Sequence, residues 1–197
     1  MARSIFCFLA AWAALLAPSA AAAEVQLHFS ALQRMLASQT FTQDGRRYLK
    51  GTPSSRCSFA YLEKPRVGAA LGKLKIDARF SGRSALNLVG QCVGLGDSFD
   101  LTILATPYYR NGAVAFREVQ VISEGKDTFY KRRVRRGLMA TLEKDFSYPL
   151  AEEARKLLEK TRVSPDYRQD LSDFRVSSIR IVDGAVVLTV DFRLAVK

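Results

Sequence analysis

The most regular pattern in this chain is an alternation of apolar and polar residues near its C-terminal end. Every second residue from Val186 to Val196 is apolar, and most of the residues between them are polar or charged. A period of two is typical of a β-strand with one face toward a core and one toward solvent. The turn signal Asp183-Gly184 precedes this stretch, so we predict a C-terminal hairpin.

Strand-like segments also occur earlier in the chain. They are residues 57–62, ending before Pro65, and residues 73–80, 98–109 and 113–123. The last two are separated by Asn111-Gly112, the strongest short hairpin signal. The Gly-rich stretch 81–96 predicts only a short strand near Leu86 to Val89.

Helical periodicity appears in three places. Ser30 begins a short amphipathic segment, and Asp127 is a candidate N-cap for a longer helix whose apolar stripe includes Leu138 and Leu142. Pro149 ends that helix and starts a further one. We therefore predict one α+β domain over residues 24–197, in which a highly curved antiparallel sheet wraps a long helix.

The N-terminal residues 1–23 resemble a secretory signal. Arg3 is their only charge, an apolar run of about a dozen residues follows, and small residues lead up to Ala23. The apolar run is shorter than the roughly 20 residues that span a bilayer. We predict cleavage near Ala23 and a periplasmic location.

Cysteine usage agrees with export. Cys7 lies within the predicted signal, which leaves Cys57 and Cys92 to pair in an oxidising compartment. Two unpaired buried thiols are the alternative. A metal site is not expected, because His28 is the only histidine in the chain.

The chain is strongly basic, with a formal net charge of +11 at pH 7. The densest cationic run is predicted to contact a lipid head group or another anion; its residues are Lys131, Arg132, Arg133, Arg135 and Arg136. A solvated face bridged to nearby carboxylates such as Glu124 and Asp127 is the alternative. Nucleic acid is not a predicted partner, because the charge is scattered and the signal directs export.

Catalytic signals are weak. The chain has no G-x-S-x-G elbow, and no Gly-rich phosphate loop follows a strand. The carboxylates Asp77, Asp97, Asp100, Asp173 and Asp191 occupy mostly polar positions of predicted strands, which is typical of solvated sheet faces. We predict a non-enzymatic protein with no cofactor.

The order of elements resembles the YceB-like periplasmic proteins of the tubular lipid-binding (TULIP-like) group. The resemblance is carried by the helix break Tyr148-Pro149-Leu150 and by the final hairpin 176–190. It implies a long helix wrapped by a curved sheet, with space for a hydrophobic ligand and no catalytic residues. Many proteins of that group are tethered through an N-terminal cysteine, which this chain lacks.

The leading hypothesis is therefore an envelope protein that binds a lipid or other apolar molecule between helix and sheet. The predicted lining residues are Leu74, Ile76, Phe80, Leu101, Ile103, Leu138, Leu142, Val186, Leu188 and Val190. The alternative is a protein-interaction or membrane-surface docking module with a filled core. Burial of apolar surface stabilises either arrangement by about 25 cal/mol per Å², so energetics do not separate them.

Overall fold

The computed structural model describes residues 22–160 and 169–196 of the chain. In this part it consists of strands and short helices. Their bounds in chain order are β1 Ala23–His28, α1 Phe29–Gln39, β2 Arg46–Lys50, β3 Ser58–Ala70, β4 Lys73–Leu88, β5 Gln91–Arg110, β6 Ala113–Ser123, α2 Phe129–Lys144, α3 Leu150–Lys160, β7 Gln169–Val182 and β8 Ala185–Val196.

The strands form two antiparallel sheets. One has five strands in the order β2-β3-β4-β5-β6, and the other has three in the order β1-β8-β7. Apolar side chains from both sheets meet in one core, to which α2 contributes Leu138. The predicted hairpins at Asn111-Gly112 and Asp183-Gly184 are both present, joining β5 to β6 and β7 to β8.

The prediction of a long helix wrapped by a curved sheet is wrong. The longest helix, α2, has 16 residues and β5 has 20. These lengths correspond to about 24 Å of helix and about 66 Å of strand, so the strands and not a helix are the longest described elements. The molecule is instead mostly antiparallel sheet, divided into two sheets and covered by short helices.

The end of β3 differs from the prediction. β3 does not end before Pro65 but continues through it, because the pairing with β4 shifts between Glu63 and Arg66 and leaves Pro65 unpaired in a bulge. Gln33 of α1 binds this bulge, donating to the Pro65 carbonyl and accepting from the Val67 amide at 2.8 Å.

The stretch 81–96 holds far more strand than predicted. β4 and β5 pair without interruption from Leu74–Ala105 to Leu88–Gln91. They are joined by Val89 and Gly90, whose φ angles of 50° and 81° lie in the left-handed region. Asn111 and Gly112 also both have positive φ angles, of 50° and 83°, as type I′ hairpin turns require.

The N-cap of α2 is Thr128 rather than the predicted Asp127. The Thr128 hydroxyl accepts from the Lys131 amide, which satisfies one of the free donors of the first turn. Asp127 binds arginine side chains instead.

Gly137 lies inside α2, and a Cβ at this position would meet nothing within 4 Å. We expect Gly137→Ala to raise the free energy of unfolding by about 0.5–1 kcal/mol, because alanine loses less backbone entropy in a helix. Urea unfolding followed by circular dichroism measures the change. Gly82→Ala is the control, since its Cβ would lie 2.7 Å from Phe80 and Tyr130 side-chain atoms. A gain in stability at Gly82, or a loss at Gly137, would contradict the packing described here.

The predicted signal lies almost entirely outside the described residues, which begin at residue 22. Its cleavage therefore stays a prediction. Within 22–160 and 169–196, no helix has the length and apolar character needed to cross a bilayer.

Candidate functional site

The apolar residues predicted to line a ligand site lie together in the hydrophobic core. Eight are buried there: Leu74, Phe80, Leu101, Ile103, Leu138, Val186, Leu188 and Val190. Ile76 and Leu142 are partly buried and pack against the same cluster. The sequence pattern thus identified side chains that come together, and their neighbours in this cluster are other protein side chains.

The largest group of exposed apolar residues lies at the far end of β4 and β5, in a segment that we call the apical hairpin (residues 84–96). β3 pairs with β4 only as far as Ser84, and β6 pairs with β5 only as far as Leu101. Among the described strands, β4 and β5 are therefore paired only with each other over the rest of the hairpin. The segment projects beyond the five-stranded sheet.

One face of the apical hairpin continues the core face of the sheet. Side chains an even number of residues apart in a strand lie on the same sheet face. Leu86 and Leu88 are related in this way to the core residue Phe80 of β4, and Val93 and Leu95 to the core residue Phe99 of β5. Leu86 is paired directly with Val93. These four side chains are exposed, Leu88 being the least so at 55%. Residues 84–96 include no charged side chain, so this is an uncovered and uncharged apolar face.

The turn of the apical hairpin adds a fifth apolar residue. Val89 has φ of 50° and is fully exposed. A β-branched residue is disfavoured in this conformation, and its side chain gains no packing contact from its position. Sparsely populated backbone conformations concentrate at functional sites. Val89 thus enlarges the exposed apolar surface of the apical hairpin.

The N-terminal end of α2 lies at the root of the apical hairpin. The Tyr130 hydroxyl is 2.7 Å from where a Cβ on Gly82 would lie, and Gly82 is paired with Asp97. Burial and the negative charge of Asp97 raise the pKa of the Tyr130 hydroxyl. Phe129, next to Tyr130, is exposed. The basic helix and the apolar hairpin thus belong to one region of the surface.

The cationic run of α2 divides into bound and unbound residues. Asp127 binds two of them, with Oδ1 3.0 Å from Arg135 Nη2 and Oδ2 3.3 Å from Arg132 Nη1. Arg135 also donates to Ser123 Oγ at 3.1 Å. Arg133 and Arg136 are exposed, and no partner within the described ranges binds either guanidinium. These two residues are therefore available to an external anion.

Lys131 differs from its neighbours because it is buried. Its Nζ donates to the Glu124 carbonyl at 2.6 Å and lies 5.0 Å from the centroid of the Phe99 ring. A carbonyl acceptor and an aromatic face both stabilise a buried ammonium. Lys131 therefore holds the loop before α2 in place, and it is not accessible as an anion contact.

Cys57 and Cys92 form the predicted disulfide, with their Cα atoms 5.1 Å apart. Cys92 lies two residues after Gly90 of the hairpin turn, and Cys57 immediately precedes β3. The pairing prediction is confirmed. The bond attaches the outer part of the apical hairpin to the chain segment that leads into β3.

The carboxylates considered for catalysis are mostly engaged on the sheet surface. Burial would raise the pKa of Asp77, but hydrogen bonds from Thr102 and Lys75 hold it below its ordinary value. Asp100 is paired with Arg79, and Asp173 with Arg193. In the part of the chain that the structure describes, no cluster of three or more His, Cys, Asp or Glu side chains could hold a metal ion.

A surface pocket of about 300 Å³ lies near the C-terminal end of α2, away from the apical hairpin. Its walls include Arg110, Glu143 and Lys144 next to the rings of Tyr108 and Phe146. Glu143 is already engaged, since its Oε1 accepts from the Val119 amide at 3.0 Å. Three ionisable groups in the walls do not suit an apolar ligand.

No protein-family model matches this chain. No curated protein matches it either.

Sequence reasoning missed the apical hairpin, although a signal for it exists. Leu86 and Leu88 lie at even spacings from Phe80, and Val93 and Leu95 at even spacings from Phe99. The two alternations meet at Val89-Gly90, which is consistent with one long hairpin. The high glycine content of the stretch concealed this phase relationship.

Proposed function

We propose that this protein is a non-enzymatic lipid-binding module that docks on an anionic membrane surface through its apical hairpin. The observation that carries the proposal is the uncharged apolar face of residues 84–96, which extends the core face of the sheet into solvent. Export to the periplasm is part of the proposal and is supported by the disulfide.

Two contributions to the binding free energy favour docking on a membrane, and neither is sufficient alone for stable binding. Complete burial of one Leu or Val side chain contributes about 1.5–3 kcal/mol, and shallow insertion yields only part of that for each residue. A basic side chain near an anionic surface adds about 1 kcal/mol. The formal net charge of +11, one unit of which is Arg3 in the predicted signal, and the exposed Arg133 and Arg136 supply the second contribution. A membrane is favoured over an apolar protein partner because it supplies both contributions at once.

The pairing pattern limits the depth of insertion. The outer part of the apical hairpin has two strands and hence two free edges. An unpaired backbone group in hydrocarbon costs several kcal/mol, so the hairpin is expected to lie in the head-group region with its apolar side chains reaching the acyl boundary.

The packing gives less support to carriage of a lipid between helix and sheet. Most of the residues predicted to line such a site are buried against other side chains of the core. Lipid extraction from the purified protein distinguishes the two hypotheses: a stoichiometric bound lipid favours carriage, whereas docking requires none.

The double variant Leu86→Asp with Val93→Asp is expected to bind anionic vesicles at least about tenfold more weakly than the unmodified protein. It removes two apolar contacts and adds two charges to the docking face, and a loss of 1.4 kcal/mol already corresponds to tenfold. Vesicle flotation with phosphatidylcholine, alone or mixed with phosphatidylglycerol, measures the partition coefficient. Added salt should weaken binding to the mixed vesicles.

The matched control is Leu71→Asp with Leu194→Asp. These apolar residues are also exposed, but Leu71 lies in the β3–β4 turn at the opposite end of β4, and Leu194 lies in β8 of the other sheet. The control should bind vesicles as the unmodified protein does. Equal losses in both variants would contradict the proposal. So would a concentration-dependent dimer that the hairpin variant abolishes while vesicle binding is unchanged, since the apolar face would then serve self-association.

A further inference from the structure

The outer face of α2 presents two arginines with no competing partner. Arg133 and Arg136 are three residues apart, so their side chains are neighbours on one helix face. Both are exposed. Neither has an acidic residue three or four positions away along α2, and the nearby Asp127 is occupied by Arg132 and Arg135.

The surroundings of this pair leave room for a ligand. Gly137 follows Arg136 directly and has open space where a side chain would lie. On the other side, the exposed Phe129 is four residues before Arg133 and lies next to Tyr130 at the root of the apical hairpin. An anion held by the two guanidinium groups would thus have the aromatic ring of Phe129 one helical turn away.

We propose that Arg133 and Arg136 form a recognition site for a phosphate monoester, which the docking function would supply as a lipid head group. The inference rests on that proposed function only for the source of the ligand. A free phosphate monoester shares the same chemistry and is distinguished by the experiment below.

The choice of a phosphate monoester follows from charge and donor geometry. Two guanidinium groups one turn apart repel each other, and a single anion between them offsets that repulsion. A phosphate monoester carries about −1.5 to −2 charges at pH 7 and three strong acceptor oxygens. Each guanidinium offers a planar pair of donors that fits phosphate oxygens. A phosphodiester or a carboxylate has only one charge and two free oxygens for the two arginines.

The experiment compares two kinds of vesicle with matched surface charge, one containing phosphatidic acid and the other phosphatidylglycerol. We expect the unmodified protein to prefer the monoester vesicles by about tenfold, the factor that one charge-assisted hydrogen bond provides. Arg133→Gln with Arg136→Gln should abolish the preference. Arg34→Gln with Arg47→Gln is the control, because it removes two other exposed arginines and the same charge; it should keep the preference.

A titration with inorganic phosphate separates the two ligand sources. Chemical-shift changes at the Arg133 and Arg136 Nε–H groups, without any preference between the vesicles, would support the site and assign it to soluble phosphate. Absence of both the vesicle preference and these shifts would overturn the inference. Docking itself is judged independently, since the Leu86→Asp and Val93→Asp variant should weaken binding to both vesicles equally.

Discussion

Replacing Phe80 with alanine is expected to lower the free energy of unfolding by about 3–5 kcal/mol, the usual cost of removing a buried aromatic side chain. Phe80 is among the least exposed residues of the core, at 2%. Its ring lies 5.0 Å from that of Phe99 and 6.3 Å from that of Tyr130. The substitution would therefore leave a cavity where β4, β5 and α2 meet.

Thermal unfolding followed by calorimetry measures this loss. For a chain of this size, about 2–4 °C per kcal/mol gives a decrease in Tm of about 6–20 °C. Leu86→Ala is a matched control, because Leu86 lies on the same face of the same strand but is exposed. This substitution should change the free energy of unfolding by no more than about 0.5 kcal/mol. Similar losses at the two positions would mean that the apical hairpin is covered in the free protein, which contradicts the exposed face described above.

The strands were the most predictable part of this fold. Alternation in β8 and at the start of β4 is a direct result of side chains pointing to opposite sheet faces, and Asn111-Gly112 is a local signal that needs no tertiary information. The Cys57–Cys92 pair was predictable by elimination, since the only other cysteine lies in the predicted signal.

The architecture was less predictable because it depends on which apolar faces meet. The period of two is identical at Phe80, which is buried, and at Leu86, which is not. Nothing in the local pattern reports that β3 stops pairing at Ser84. In the same way, the apolar face of β8 contacts a core shared by two sheets rather than one enclosed helix.

The cationic run of α2 shows that the candidate site, too, was only partly predictable from the sequence. Lys131 lies seven residues before Leu138, so both are on the same side of α2, and both are buried. The pairing of Arg132 and Arg135 with one carboxylate depends on the path of the chain before the helix. Only the structure separates the two unbound arginines from the other three of the five predicted residues, Lys131, Arg132 and Arg135.

Removal of the disulfide, by Cys57→Ser with Cys92→Ser, is expected to lower the free energy of unfolding by about 3–4 kcal/mol. The bond closes a loop with a sequence separation of 35, and the chain-entropy model gives this range for such a loop. A local effect should accompany the global one. The outer part of the apical hairpin is two-stranded, and isolated two-stranded hairpins are marginally stable in water.

Two measurements test these effects together. Urea unfolding gives the global loss, and amide hydrogen exchange in residues 85–95 should rise more than exchange in the core strands. Reduction of the unmodified protein by dithiothreitol should reproduce both changes, and the reductant should have no effect on the double variant.

A loss in the free energy of unfolding below about 1 kcal/mol would show that the loop is already constrained without the bond. If exchange in the apical hairpin stays unchanged, the hairpin is braced by other contacts. If exchange rises, the affinity for anionic vesicles should fall with it, because a hairpin that must be ordered on binding loses part of its interaction free energy.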